Sequence, residues 1–564
     1  LVKRSKAAAK VQQAFAAMQL GQAERAVRLM ESAVREAPKH FEALMLLAGA
    51  RGQQGRFADA AALFERAAAV RPESPEAHYN RGVALTQLGQ REQAIASYQS
   101  ALRLEPRHLN ACNNLAAELL ALNRAREALA ALQDGLAYHR ANPILTSKIG
   151  VALKDIGALD ESVATLRQAA LLLPSDAVVH ANLGLALRQA GRFDEAVASL
   201  NRALSINSGD ADLHNNLALA LHEKGELDAA IENVQRAIAL NPRRSDYHAN
   251  LGMMLLSKGD FVRGWAEFEH RDALVRPDPE RAACDAPFWS GEPLDGKRIL
   301  VHAEQGLGDT LQFARYLPWL AEVQAMVTFA VQPELLPLLQ SFAGKIRMVP
   351  RNSELPSFDF QAALVSLPLR FGTKMSNIPN TVPYVSVAND AVLQAAARIG
   401  ASPDLRVGLC WQGNSAFTGD RGRSIPLHKF AALAELPGVR LISLQKGAGA
   451  GQIAHVPFTN RIEVPLDPAD FSPGSMVETA AVLMNCDLVV SSCTMIAHLA
   501  GALARPVFIA LRRVPDWRWL LDREDSPWYP TARLFRQQNE GDWADVFARM
   551  SDTIRVMAAG ARVA

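Results

Sequence analysis

A chain of 564 residues is too long for one hydrophobic core, so at least two domains are expected. Hydrophobic residues make up 49% of it, which argues against disorder, and 60 basic residues against 58 acidic ones give no electrostatic case for a nucleic-acid partner. No apolar run approaches the ~20 residues that span a bilayer, and the basic start, Leu1 to Lys10, leads into a charged helical stretch without the apolar segment of a secretory signal. The five cysteines, Cys112, Cys284, Cys410, Cys486 and Cys493, show neither zinc-ligand nor C-x-x-C spacing. Reduced thiols in a cytoplasmic protein are the expectation.

The first half is built on a fixed period. Gly21, Gly55, Gly89, Gly157, Gly191, Gly225 and Gly259 lie on one grid of 34 residues, with Asn123 at the missing point. Asn is the next-best residue for a left-handed backbone. Pro38, Pro72, Pro106, Pro174 and Pro242 follow the same period, as do the small residues Ala60, Ala94, Ala128, Ala196 and Ala230. Period, glycine, alanine and proline together are the signature of tetratricopeptide repeats, helical hairpins that stack into a superhelix with a concave face.

Asn80, Asn114, Asn182, Asn216 and Asn250 form a second grid of 34 residues or its double, with Lys148 at the missing place. Each lies two residues before the small position of the first helix of its hairpin. A column of amides can grip a peptide backbone whatever its sequence, and it resembles the asparagine ladder of O-GlcNAc transferase. It is equally a consensus packing position. His78, His180, His214 and His248 make a further column. These read as packing residues, because positions 34 apart sit on neighbouring hairpins and do not converge on a metal. The last unit carries Trp265 and Phe268, which suits a cap docking on the next domain, and Arg276 to Gly296 reads as a Pro/Gly-rich linker.

From Arg298 the pattern changes. Apolar runs at Arg298–Ala303, Met326–Val331 and Ala362–Ser366, then at Val407–Trp411, Val439–Leu444, Asp487–Ser491 and Pro506–Leu511, alternate with helix-like segments. This predicts two Rossmann-like lobes with parallel sheets, and ligands beyond the carboxyl ends of the strands. Four blocks sit at those ends. In Glu304-Gln305-Gly306-Leu307-Gly308-Asp309, Asp309 is either a helix cap or a general base. In Trp411-Gln412-Gly413-Asn414 and Asp420-Arg421-Gly422-Arg423, arginines on a glycine-containing loop suit a diphosphate, although a solvated loop is also basic. Lys446, after Leu444-Gln445, could neutralise a leaving group or be a solvated strand end. Ser491-Ser492-Cys493-Thr494, leading to His498, puts a helix start after a strand, where free N–H groups bind anions. Cys493 there could be an activated thiol, but no general base accompanies it. Trp517, Trp519, Trp528 and Tyr529 suit a sugar or base platform or, in the favoured reading, internal packing.

In this order the blocks resemble the ADP-heptose:lipopolysaccharide heptosyltransferase family, glycosyltransferase family 9, over about residues 285–545. The closer likeness is to bacterial relatives fused to tetratricopeptide repeats. The resemblance implies an inverting, metal-independent enzyme of the two-lobed GT-B type. Gly308-Asp309 matches the family's Gly-Asp pair, whose aspartate is the proposed base. Arg423 approximately matches the basic residue of its phosphate loop. Thr494 and His498 match its Asp-Thr turn and helix, but Cys493 stands where the family has Asp, which puts donor choice or activity in doubt. In other fusions of this kind the repeats capture a protein acceptor.

The expected architecture is therefore α + α/β, an N-terminal α-solenoid over 5–275, a linker over 276–297, a first GT-B lobe over 298–400, and a second over 401–564 with a closing C-terminal helix. The expected function is transfer of a sugar from a nucleotide-activated donor to a protein held by the repeats. The donor contacts are Gly306, Gly308, Gly413, Asn414, Arg423, Lys446, Cys493, Thr494 and His498, with Asp309 as base and neither cofactor nor metal. Glycan assembly and a non-catalytic repeat scaffold are the alternatives.

Overall fold

The computed structural model describes residues 2–273, 284–342, 344, 346–414, 420 and 422–561. Arg421 and positions 276–283 of the expected linker lie outside the described residues. The chain divides into two compact units, Leu1–Ala220 and Leu221–Ala564.

The first unit is a solenoid of helical hairpins, running from Val2–Gln19 to Phe193–Ile206 and into Ala211–Lys224. Its turns need a left-handed residue. Gly21, Gly55, Gly89, Gly157 and Gly191 have φ between +71° and +84°, and Asn123 substitutes at +59°. The alanine grid lets the two helices of a hairpin close on each other, and Ala60, Ala94, Ala128 and Ala196 are 0% exposed. The histidine column ties the loops. His78 Nε2 lies 3.1 Å from the Pro72 carbonyl, His180 Nε2 3.2 Å from that of Pro174, and His214 Nε2 3.3 Å from that of Ser208. A carbonyl only accepts, so the ring N–H donates.

The second unit begins with the last repeats, Leu227–Leu240, Ser245–Ser257 and Phe261–Phe268, the last running into a 3-10 turn, Glu269–Ala273. As the aromatic-rich last repeat suggests, this segment docks on the α/β part of the unit. Trp265 lies 5.3 Å from Trp517 and 6.2 Å from Phe313, centroid to centroid. The buried Arg271 donates to Glu304 (2.7 Å) and Ser366 (2.9 Å).

The α/β part holds two parallel sheets. The first has four strands in the order β3-β2-β1-β4, with β1 Arg298–His302, β2 Met326–Val331, β3 Ile346–Pro350 and β4 Phe360–Ala363. The second has six, in the order β10-β9-β8-β5-β6-β7. These are β5 Leu405–Cys410, β6 Val439–Ser443, β7 Ile462–Glu463, β8 Leu488–Ser492, β9 Val507–Leu511 and β10 Ala532–Arg536. The seven apolar runs of the sequence all contribute strands, though Leu364–Ser366 is a 3-10 turn. The three strands not anticipated, β3, β7 and β10, are sheet edges. An edge is covered on fewer sides, so Arg347 and Arg533 break the apolar run there. The C-terminal helix Trp543–Ala561 lays Val546, Phe547, Met550 and Ile554 against the second sheet, packed with Val407, Phe430 and Leu441.

Gly252 marks the tightest helix approach in the last repeat, since a Cβ there would meet the Phe268 backbone nitrogen at 2.5 Å. Backbone cannot swing aside, so Gly252→Ala should cost about 1–3 kcal/mol. Gly49→Ala, facing open space on another helix, should be neutral or stabilising by up to about 1 kcal/mol. Urea denaturation of both variants followed by circular dichroism checks the contrast.

Candidate functional site

A cleft of about 560 Å³ opens at the carboxyl ends of the strands, a size suited to a small-molecule ligand. Its wall is made by Gly306, Gly308 and Asp309 after β1, and by Gln412, Gly413, Asn414 and Arg423 after β5. Gln445 and Lys446 after β6, Cys493, Thr494 and His498 after β8, and Asp516 and Arg518 after β9 complete it. In the second sheet the strand order reverses between β5 and β8, the usual place for a ligand crevice. Cys410 Sγ and Thr494 Oγ1 face each other across that point at 3.5 Å.

Gly308 belongs to the helix Leu307–Phe313, which packs against the helix Met495–Ala502. A Cβ at Gly308 would lie 3.0 Å from His498 Cδ2. The glycine therefore lets two helix starts meet at the cleft floor. Asp309 is not the N-cap that one reading of the sequence expects but the third residue of its helix, and its Oδ2 reaches back to accept from the N–H of Gly306, the N-cap, at 3.0 Å. Its other oxygen, Oδ1, is ion-paired with Arg518. The buried Arg518 also donates to Gln312 Oε1 (2.8 Å) and Asp516 Oδ1 (2.9 Å). Burial disfavours the charges of both Arg518 and Asp516. Their mutual attraction prevails, holding the guanidinium above and the carboxyl below their ordinary values.

The β5 loop is shaped by close contacts. Gly413 donates to Ser424 Oγ at 3.0 Å, and a Cβ on it would strike Arg423 Nη2 at 2.9 Å. Arg423 is ion-paired with Asp420 at 3.4 Å. Gln445 staples this loop to β6, with Oε1 accepting from Trp411 N (3.1 Å) and Gln412 N (2.9 Å) and Nε2 donating to the Gln412 carbonyl (2.9 Å). Lys446 Nζ reaches the Asp470 carbonyl at 2.5 Å, and the exposed Phe471 ring lies beneath it.

After β8, the Thr494 hydroxyl turns to Ser491 Oγ (2.9 Å) and does not cap the helix it begins. The Ala497 N–H bonds the Thr494 carbonyl at 3.1 Å, and the N–H groups before it are placed for an anion. Cys493 is 8% exposed, and its sulfur accepts from Trp519 Nε1 at 3.1 Å. Burial, and then Asp516, push its thiol up to about 11. This burial opposes an activated thiolate. Burial, and then Arg518, lower His498 to about 3, so its ring is neutral; Nδ1 meets Tyr529 Oη at 3.0 Å and one face stacks on Trp519.

All ten cleft residues expected from the sequence, Asp309 with the nine donor contacts, line this one cavity. Sequence reasoning missed Arg518, Asp516 and Gln445. The first two sit inside an aromatic block whose tryptophans dominate the pattern, and the third looks like a neutral neighbour of Lys446. Trp517, Trp519, Trp528 and Tyr529 are at most 4% exposed. They are packing residues, as the favoured reading has it, and offer no open platform.

The asparagine grid lies on the repeats. Asn80, Asn114, Asn182 and Asn216 are half-buried on the first helices of their hairpins in the first unit, and Asn250 occupies the like place in the second. Among the described residues, Asn80, Asn182 and Asn216 make no side-chain hydrogen bond.

Tetratricopeptide repeat family models match residues 11–51, 50–108, 184–225 and 211–244. The chain carries tetratricopeptide repeats. It is 27% identical over 316 residues to Protein FlbA of Caulobacter vibrioides, which covers 52% of this chain and 52% of that protein. The chain thus spans about half the length of this curated relative. Among solved structures, a tetratricopeptide repeat protein from Parabacteroides merdae is 16% identical with a TM-score of 0.37, covering 44% of this chain and 99% of its own. YrrB, titled a TPR protein with an unusual peptide-binding site, is 20% identical with a TM-score of 0.30, covering 35% and 97%. No helix among the described residues is long and apolar enough to cross a membrane.

The His498 environment makes a pH prediction. The unfolded imidazole takes a proton near its ordinary value of about 6.5, whereas the folded one waits until about 3. Between those values the unfolded state holds the extra proton, so stability is full above pH 6.5 and lost as pH falls toward 3. His498→Gln should lose less on acidification, by about 1.4 kcal/mol per pH unit below 6. Urea midpoints of both proteins between pH 7.5 and 5 check this, and parallel curves would contradict it.

Proposed function

We propose that the α/β part of the second unit is a GT-B glycosyltransferase resembling family 9, and that it transfers a sugar from a nucleotide-activated donor to a protein held by the repeats. The observation that carries this reading is the convergence of ten residues from four separate sequence blocks on one cleft at the strand ends. Arg423 and Lys446 supply positive charge on its second-sheet side, beside the uncapped start of the helix Met495–Ala502. Together they suit a diphosphate leaving group, whose developing charge they would stabilise without a metal.

Asp309 is the residue on the first-sheet side with the chemistry of a base for an acceptor hydroxyl. Arg518 is then a positioning residue that fixes the carboxylate's orientation. Cys493 keeps its proton, so this protein carries one negative charge fewer at that place than the family's aspartate would provide. One observation favours the second reading, a repeat scaffold with a silent transferase domain. Both Asp309 oxygens already have partners, and a base needs a lone pair within reach of the hydroxyl.

Tetratricopeptide repeats commonly bind protein partners. The unspent, half-exposed amides of Asn80, Asn182 and Asn216 support a backbone grip on an extended acceptor.

The cleft is tested by calorimetry with nucleoside diphosphates. Arg423→Ala and Lys446→Ala should each weaken binding about tenfold, as expected for one lost charge-assisted hydrogen bond; unchanged affinity in both would move the site elsewhere. The acceptor proposal is tested by changing Asn80, Asn182 and Asn216 together to Ala. At about 1 kcal/mol per lost hydrogen bond, partner affinity should fall about a hundredfold if the losses add. Nucleoside diphosphate affinity should stay the same. Unchanged partner capture would make the asparagines packing residues.

A further inference from the structure

One histidine of the repeat column differs from its sisters. His248 Nε2 donates to the Pro242 carbonyl at 3.1 Å, the same loop tie as in the other repeats. With the proton on Nε2, the neutral ring presents a lone pair at Nδ1. That lone pair faces a carboxylate oxygen, Glu267 Oε2, only 2.6 Å away. Two acceptors this close share a proton, and a metal ion could replace it only once the two atoms open to the spacing of metal ligands.

A third donor favours the metal. The His270 ring stacks on His248 with centroids 4.2 Å apart, and the ligand atoms of His248, Glu267 and His270 all lie within 4.8 Å of one another. The repeat supplies its own control. Positions 19 and 22 residues after each sister histidine hold Ser97 and Ser100, Ser199 and Arg202, or Asn233 and Arg236. Only the last repeat replaces them with Glu267 and His270. The loop tie alone therefore does not account for this pair.

We propose that His248, Glu267 and His270 bind a zinc ion. Two imidazoles and one carboxylate are a zinc donor set, and a fourth position is left for water on the side of the exposed His270. Ligands about 2 Å from a tetrahedral ion stand about 3.3 Å apart, so the Glu267 oxygen moves out and His270 closes in by side-chain rotation. The Nε2–H bond to Pro242 supplies the outer contact that fixes a ligating histidine's tautomer and orientation. The ion would fasten the helix Ser245–Ser257 to the turn after Phe268. That turn is the segment whose Glu269 and Arg271 hold Arg370 and Glu304 of the first lobe, so the zinc would stabilise the docking of the last repeat on the α/β part.

The full chain, stripped with a chelator and titrated with zinc chloride by calorimetry, should take up one ion per chain at this site with micromolar or tighter affinity. His270→Ala removes an exposed ligand without disturbing the loop tie, and Glu267→Gln removes the charge while keeping the shape. Each should weaken zinc binding by about tenfold or more. Zinc should raise the melting temperature of the wild type and not that of His270→Ala. Uptake only at millimolar zinc would overturn the proposal and leave a simple imidazolium–carboxylate pair. Equal affinity in both variants would also overturn it, by placing the ion elsewhere.

Discussion

The cleft depends on one buried guanidinium. Arg518 comes from the segment after β9, yet its donors go to Asp309 and Gln312 on the helix after β1 and to its neighbour Asp516. A buried cation is costly unless every face is satisfied, and Trp517 and Phe313 cover the flat faces that the hydrogen bonds leave. The two sheets are therefore joined by an ion-paired hub at the lip of the cavity, with Asp309 held where both sides meet. Removing either carboxylate would leave charge stranded against Trp517 and Phe313, and Trp517 in turn packs on Trp265, Phe268 and Trp528.

That surround links the repeats of the second unit to the chemistry of the cleft. Phe261 stacks on Trp528, Trp265 meets Trp517, and the same cluster continues through Phe313 into the first sheet. Tyr529, beside Trp528, holds His498, which lies against Gly308. The last repeat thus packs directly on the helix that carries Asp309, Trp265 against Phe313. This contact chain is a physical route by which an event on the cap could reach the cleft.

Much of the fold was legible because its demands repeat. A left-handed turn every 34 residues selects glycine and admits Asn123, and a close helix crossing selects Ala60, Ala94, Ala128 and Ala196. Central parallel strands are covered on both faces and so appear as apolar runs, as does the edge β4, whereas the edges β3, β7 and β10 do not. The cleft was legible where strand ends carry glycine and charge together. Arg518 was hidden because its partners on the helix after β1, Asp309 and Gln312, are more than 200 positions away in the chain, a distance that no local pattern spans. Cys493 shows the same limit. Its place at a helix start suggests an acidic thiol, but burial reverses that. The His248 cluster escaped because the column was read along the repeats, whereas the ligands converge within one hairpin.

The cleft has room for a nucleotide-sized ligand, a carboxylate on one wall, two cations on another and a neutral histidine between them. Its chemistry is decided most directly by incubating the full chain with a panel of nucleotide-activated sugars and measuring release of the nucleoside diphosphate. The account predicts slow release from at least one donor, abolished by Asp309→Asn while binding of the nucleoside diphosphate persists. No release from any donor, together with no binding of any nucleoside diphosphate, would contradict it and leave a repeat scaffold on an inert α/β domain.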